Sequence, residues 1–355
     1  MSQPTERSQK LSFKKTDIFY IFLIFVPVGY IVNFLSSNDT LIFIMNFLAI
    51  ISSAKLLRFA NNELSHHLNS FNETLEDILD VAFNNLVELI ITIVALVNGK
   101  IRVVQAALLG SILSHTLLIL GFCFLVGGIK ILEKNKLEEE FNDFGGSKGT
   151  TVAQMTSSVL TLACISLVLP AAFGFFVDKS ADEVMHISYG TSIVLLVISV
   201  LYLCFRIKTH KKLFARFHEK KDNIDVIMSL TLFAIMIVNI VFLAQFLIKS
   251  IEGIVASHKI SQTFIGLILL PIVGHCDKYI SPTYIERNNH DDKCANKRFA
   301  IMVISVRSSI QTALIITPLL VILGWIINKK MSLSFTIFET ICLVVAIMLR
   351  NYLFQ

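Results

Sequence analysis

Charged side chains are scarce in this sequence. Its 355 residues include 31 Lys and Arg and 26 Asp and Glu, 16% of the chain, where soluble globular domains run near about 25%. Apolar residues make up 54%, and the mean hydropathy is +0.71, so the polar residues available could not cover a water-facing surface. Cysteine pairing is missing too. Cys123, Cys164, Cys204, Cys276, Cys294 and Cys342 are scattered with no CxxC pair, which argues against a disulfide framework or a zinc knuckle. No small-residue cleavage site follows the first apolar run, so that run reads as a retained signal anchor behind a polar tail. The net charge of +5 sits in short loops between apolar runs rather than on a folded soluble face, so nucleic acid is not an expected partner. With no nucleophile and base pair in evidence, an enzyme is not expected either.

What the sequence has in quantity is long apolar runs, at 18–35, 41–60, 78–97, 103–129, 150–177, 187–205, 226–248, 262–285, 299–327 and 332–349. Each approaches the roughly 20 residues that a helix needs to cross a bilayer. The predicted fold class is therefore all-α: a polytopic, multi-pass integral membrane protein of about 10 transmembrane helices whose first partner is the lipid bilayer. Basic residues concentrate in alternate loops, about 20 on the side of the N-terminal tail and about 7 on the other, which predicts a cytoplasmic N-terminus. The linker from Arg206 to Lys221 is the richest of these loops, with Arg206, Lys208, Lys211, Lys212, Arg216, Lys220 and Lys221. It divides the chain into a tail (1–17), a leading helix (18–36), a first group of five helices (39–208), the linker (209–223) and a second group of four (224–355). Groups of odd size insert with opposite orientation, and inverted-repeat transporters place their substrate near the midplane where corresponding broken helices meet.

The two groups hold corresponding polar interruptions. The first has Asn84-Asn85-Leu86-Val87-Glu88, then Gln105 and Gly110-Ser111-Ile112-Leu113-Ser114; the second has Pro271-Ile272-Val273-Gly274-His275-Cys276-Asp277-Lys278, then Ser308-Ser309-Ile310-Gln311 and Pro318. A carboxylate at mid-membrane costs about 2.5–3.5 kcal/mol on the insertion scale and normally faces a partner or a cavity, which makes Glu88 a candidate ion ligand.

These segments resemble the calcium/proton exchanger family of the calcium/cation antiporter superfamily, and fungal vacuolar members most. The resemblance also covers 103–114, Gly190-Thr191-Ser192-Ile193-Val194, 263–274 and Phe338-Glu339-Thr340, and runs from Phe25 to Leu353. It implies an antiporter of a leading helix and two inverted five-helix repeats, with a glutamate from each repeat sharing calcium or protons. Calcium takes six to eight hard oxygens, and carboxylates also carry protons, so ion and protons compete for one site. On this resemblance the ion- and proton-binding residues are Glu88, Asn85, Gln105, Ser111, Ser308, Ser309 and Gln311, with Glu88 the calcium ligand. Calcium or another cation is the transported substrate, protons are the counter-substrate, no cofactor is implied, the oligomeric state stays open, and the setting is the vacuolar membrane.

The sequence departs from the family text at several positions. Asn84 stands for the first motif's glycine, His115 for an asparagine, His275 for the second motif's asparagine, and Arg307 for a glycine. Above all, Lys278, next to Asp277, stands where the second glutamate belongs. At about 4 Å and an effective dielectric of about 20, exchanging a carboxylate for an ammonium reverses the interaction with a divalent ion by about 16 kcal/mol, an upper bound. The expectations are a Lys278–Glu88 ion pair that occupies the cation's place, and Arg307 paired with Asp277 or Glu339. Three readings stay open here: calcium/proton antiport of reduced or altered activity, monovalent cation/proton exchange, and a transport-inactive relative acting as a membrane interaction partner. A relocated acidic site using Asp80, and a soft-metal site joining His275, Cys276 and Asp277 to His290, Asp291, Asp292 and Cys294, are weaker alternatives. The resemblance also implies one more helix after Leu353, giving a second repeat one helix short within this sequence.

Overall fold

The computed structural model describes residues 23–69, 82–119, 121–122, 125, 147–176, 181–209, 225–276 and 306–353. Every regular element among them is helical. Apolar segments in lipid require this, because an unsatisfied backbone N–H there costs several kcal/mol and only a helix pairs the chain with itself. In chain order the helices are α1 (Phe25–Leu35), α2 (Asp39–Asn69), α3 (Leu86–Val97), α4 (Ile101–Leu113, widening into a π turn at Ser114–Ile119) and α5 (Ser147–Phe176). There follow α6 (Ala181–Cys204, with a π turn at Phe205–Thr209), α7 (Val226–His258), α8 (Gln262–Cys276), α9 (Val306–Ile326) and α10 (Ile337–Leu353).

Six of these stretches are long and apolar enough to cross a membrane unaided: Asp39–Ser65, Ile101–Ile119, Gln154–Phe175, Asp182–Lys208, Val226–His258 and Val306–Ile326. Phe25–Leu35, Leu86–Val97 and Gln262–Cys276 are shorter. The crossing expected over 78–97 is thus interrupted, with helical Ala82 and Phe83 followed by turn residues at Asn84 and Asn85 and helix again from Leu86. At 1.5 Å per residue, 12 residues reach about 18 Å, too little for a hydrocarbon layer of about 30 Å. Exposed apolar side chains such as Val197 and Leu201 on α6, and Ile227 and Phe242 on α7, form the lipid-facing surface.

Helix directions follow from which ends meet. The start of α2 meets the end of α7, where Thr40 Oγ1 lies 2.9 Å from His258 Nε2, and Asn239 of α7 donates to Ser53 Oγ at 2.8 Å further along. α4 and α9 are likewise antiparallel, Ser111 opposing Thr312 and Thr116 opposing Ser309. Such opposed counterparts are the geometry that an inverted repeat has.

α4 and α8 cross at very close range. Pro271 has no N–H to give the carbonyl of Leu267, four residues earlier, and that carbonyl lies against Gly110, where an added Cβ would stand 2.1 Å from the oxygen. Reciprocally, a Cβ on Gly266 would meet Ala106 Cβ at 2.6 Å and Val103 O at 2.8 Å. Two glycines therefore let two backbones touch, as small residues do in membrane helix packing.

A buried ion pair fastens this crossing to α10. Arg102 Nη2 binds Glu339 Oε1, with Glu339 fully buried, while Arg102 Nε and Nη2 reach Thr263 Oγ1 of α8 at 3.4 Å. Glu339 also caps its own helix: its Oε2 accepts from the Thr336 backbone N–H at 3.0 Å, and its N–H donates to Thr336 Oγ1 at 3.4 Å, a capping box. Glutamine can fill that capping role, so Glu339→Gln isolates the ion pair. Because Arg102 keeps 29% exposure, the discounted expectation is a loss of about 2 kcal/mol, below the 3–5 kcal/mol of fully buried pairs. Thermal unfolding in detergent measures it, and adding Arg102→Met should recover part of the loss.

Candidate functional site

The break before α3 is made by two asparagines whose side chains bind the facing helix. Asn85 sits at φ −118°, ψ 26° just ahead of α3. Asn84 Nδ2 donates to Ser308 Oγ at 3.1 Å and Gln311 Oε1 at 3.3 Å. Asn85 Nδ2 donates to the Ser308 carbonyl at 3.3 Å and to Thr312 Oγ1 at 3.5 Å. Amides thus replace the helical turn that a continuous α3 would have had there. They also place Glu88 in the first turn of α3, where the helix dipole favours a negative charge.

Glu88 is 5% exposed. Its Oε2 accepts from Thr312 Oγ1 at 3.2 Å and lies 3.2 Å from His275 Nε2, so α3, α8 and α9 all meet at one oxygen. The other oxygen, Oε1, is buried with no hydrogen-bond partner among the described residues. Gly274 leaves the approach of α8 open, its would-be Cβ standing 3.6 Å from Glu88 Cβ.

The hydrogen bonding around His275 counts a proton. Its Nδ1 lies 2.9 Å from the Pro271 carbonyl, which can only accept, so Nδ1 carries hydrogen. Nε2 of a neutral ring is then a bare lone pair facing a carboxylate. A bond between them requires one more proton, on Nε2 or on Oε2. His115 repeats the pattern, its Nδ1 lying 2.9 Å from the Ser111 carbonyl, and its ring meets that of His275 edge-on with centroids 4.0 Å apart.

Of the residues singled out from sequence, the structure gathers Glu88, Asn84, Asn85, Ser111, His115, His275, Ser308 and Gln311 into one buried network. Ser309 joins it through Thr116, their hydroxyl oxygens 3.2 Å apart. Gln105 does not join: its Nε2 donates to the Ser332 carbonyl at 2.9 Å and its Oε1 faces Arg102, six residues and about 9 Å along α4 from Ser111. Glu339 is held by Arg102, which corrects the suggested Arg307–Glu339 pair; Arg307 is buried on α9. Asp80, Asp277, Lys278, His290, Asp291, Asp292 and Cys294 lie outside the described residues, and so does the Lys278–Glu88 pair. The partners seen on Glu88 are His275 and Thr312.

Thr312 and Thr116 went unread in the sequence. The signal for Thr312 was available: it stands four residues after Ser308, on the same helix face as Ser308 and Gln311.

No group of three His, Cys, Asp or Glu among the described residues is placed to hold a metal ion. Among the described residues a cation at Glu88 would have this one carboxylate, with neutral oxygens from the hydroxyls of Ser111 and Ser308 and from nearby amides. A pocket is lined by Arg58, Asn61 and Asn62 of α2 together with Phe83, Asn84 and Gly274.

The family described as sodium/calcium exchanger protein matches residues 38–208 and 228–354. A vacuolar calcium ion transporter of Schizosaccharomyces pombe is 35% identical over 345 residues, 95% of this chain and 78% of that protein. A Ca(2+)/H(+) antiporter of Aphanothece halophytica is 28% identical, over 95% of this chain and 89% of its own. The solved structure of native YfkE superposes with a TM-score of 0.72 at 24% identity, covering 95% of this chain and 91% of that one, a likeness of fold.

Proposed function

The chain belongs to the sodium/calcium exchanger family, and from that premise we propose that it is a calcium/proton antiporter of the vacuolar membrane, with the N-terminus cytoplasmic. The observation that carries the proposal is Glu88, buried where α3, α8 and α9 meet, with Oε1 lacking a hydrogen-bond partner among the described residues and Oε2 3.2 Å from His275 Nε2, a contact that a shared proton turns into a hydrogen bond. The relatives' names, a calcium transporter and a Ca(2+)/H(+) antiporter, supply the substrates. A cation arriving at Oε1, with Ser111 and Ser308 as neutral oxygens, disfavours the shared proton by charge repulsion, and the proton's return disfavours the cation. Loading with one and then the other on opposite sides of the membrane gives exchange. We place the repeats at 39–208 and 224–355, with the linker 209–223 between them.

Lys278 sets the level of activity on this reading. An ammonium beside a one-carboxylate site weakens a divalent ion more than a monovalent one, so calcium affinity falls and monovalent exchange gains in proportion. Lys278→Glu is expected to raise calcium uptake into vesicles by at least about tenfold at subsaturating calcium, which needs only about 1.4 kcal/mol. Unchanged uptake would remove Lys278 from the site.

A further inference from the structure

We infer that Thr312 is a positioning residue for the substrate cation, an assignment that rests on Glu88 being the cation's carboxylate. A threonine within an apolar helix usually returns its hydroxyl to its own backbone, as Thr92 and Thr116 do, at 2.8 Å from Glu88 O and 2.7 Å from Ile112 O. Thr312, fully buried, instead sends its proton across to α3, into Glu88 Oε2 at 3.2 Å.

With that single proton committed, the oxygen can only accept from its other neighbours. Asn85 Nδ2 donates at 3.5 Å, and the Ser111 hydroxyl lies 3.5 Å away and is then the donor. One hydroxyl therefore joins α3, α4 and α9 at the carboxylate. Its place on α9 is fixed by the π turn Thr312–Ile316, closed by Thr317 Oγ1 donating to the Thr312 carbonyl at 2.8 Å. That turn runs into Pro318, which has no N–H to offer the preceding turn.

The consequence concerns which oxygen is offered. Oε2 is held by Thr312 on α9 and lies against His275 on α8, while Oε1 is buried with no hydrogen-bond partner among the described residues. Thr312 thus locks the carboxylate rotamer with Oε1 presented as the open coordination position. The site receives its cation at one oxygen and not through both.

Purified full-length protein tests this by two measurements, calcium-45 equilibrium binding in detergent and initial uptake rates against calcium concentration in proteoliposomes. Thr312→Val keeps the shape and removes the hydroxyl; Thr312→Ser keeps the hydroxyl and removes a methyl group. The expected result is a calcium Kd and KM raised at least about tenfold in Thr312→Val with maximal rate and melting temperature close to wild type, and both constants within about threefold of wild type in Thr312→Ser. Wild-type affinity in Thr312→Val, or equal damage from Thr312→Ser, overturns the assignment and leaves a packing role. If the wild type binds calcium but shows no proton-driven uptake, the antiport reading fails while the binding comparison still decides Thr312. Absence of calcium binding by the wild type overturns both.

Discussion

Glu88→Gln is expected to abolish calcium uptake driven by a proton gradient while leaving a folded, membrane-inserted protein. The substitution is nearly isosteric: the amide oxygen can still accept from Thr312, or the amide NH2 can donate to the bare Nε2 of His275, so the local network keeps a hydrogen-bonding partner. What disappears is charge. A carboxylate and a divalent ion about 4 Å apart attract by about 8 kcal/mol at an effective dielectric of about 20. Retaining even a quarter of that as net binding gives about 2 kcal/mol, or about 30-fold in affinity. The coupling loss is more complete than the affinity loss, because glutamine has no carboxyl group to take up and release a proton. Uptake assays alongside a melting curve check the prediction: loss of uptake at an unchanged melting temperature supports it, and retained coupled uptake removes Glu88 from the exchange site.

Gly110→Ala is expected to have the largest structural effect among the described glycines whose added Cβ would meet backbone. The new Cβ would stand 2.1 Å from the Leu267 carbonyl oxygen and 2.7 Å from its carbon, and a backbone atom cannot rotate away as a flexible side chain can. Overpacking commonly costs about 1–3 kcal/mol, and a clash of this depth against backbone belongs at or above the top of that range. α4 and α8 must separate, which also carries Ser111 and His275 away from each other. Gly190 on α6 is the internal control: nothing lies within 4 Å of its would-be Cβ. Gly190→Ala there is expected to be neutral or stabilising by about 0.5–1 kcal/mol through lower backbone entropy in the unfolded chain. Melting temperatures of the two variants in one detergent should differ sharply in that order.

These two positions also mark how far the site could be read from sequence. Among the described residues the apolar runs are largely helical, because lipid leaves the backbone no other way to satisfy its hydrogen bonds, although the run expected over 332–349 becomes helix only at Ile337. Asn84-Asn85 and Glu88 announced a broken helix with a charge, and the structure turns the chain there. Side-chain destinations were harder. Gln105 and Ser111 lie on the same helix, yet only Ser111 reaches the Glu88 cluster, since the rotation of α4 is set by the Gly110–Leu267 and Gly266–Ala106 contacts. The Arg102–Glu339 pair spans 237 positions and has no local signature at all. Thr312 was overlooked because one threonine in an apolar run reads as core, and its role appears only when α3 supplies the acceptor. His275 was noticed as a substituted asparagine, but its bond to Glu88 required the 3.2 Å contact to be seen.

The decisive measurement is calcium-45 accumulation by sealed proteoliposomes of the purified wild-type chain, made acidic inside and diluted into alkaline buffer. Accumulation that rises with the size of the pH gradient, collapses when a protonophore is added, and is absent from Glu88→Gln vesicles is the result predicted here. A flat trace from protein of verified insertion and wild-type melting behaviour would contradict antiport through Glu88 and leave the chain a non-transporting member of its family.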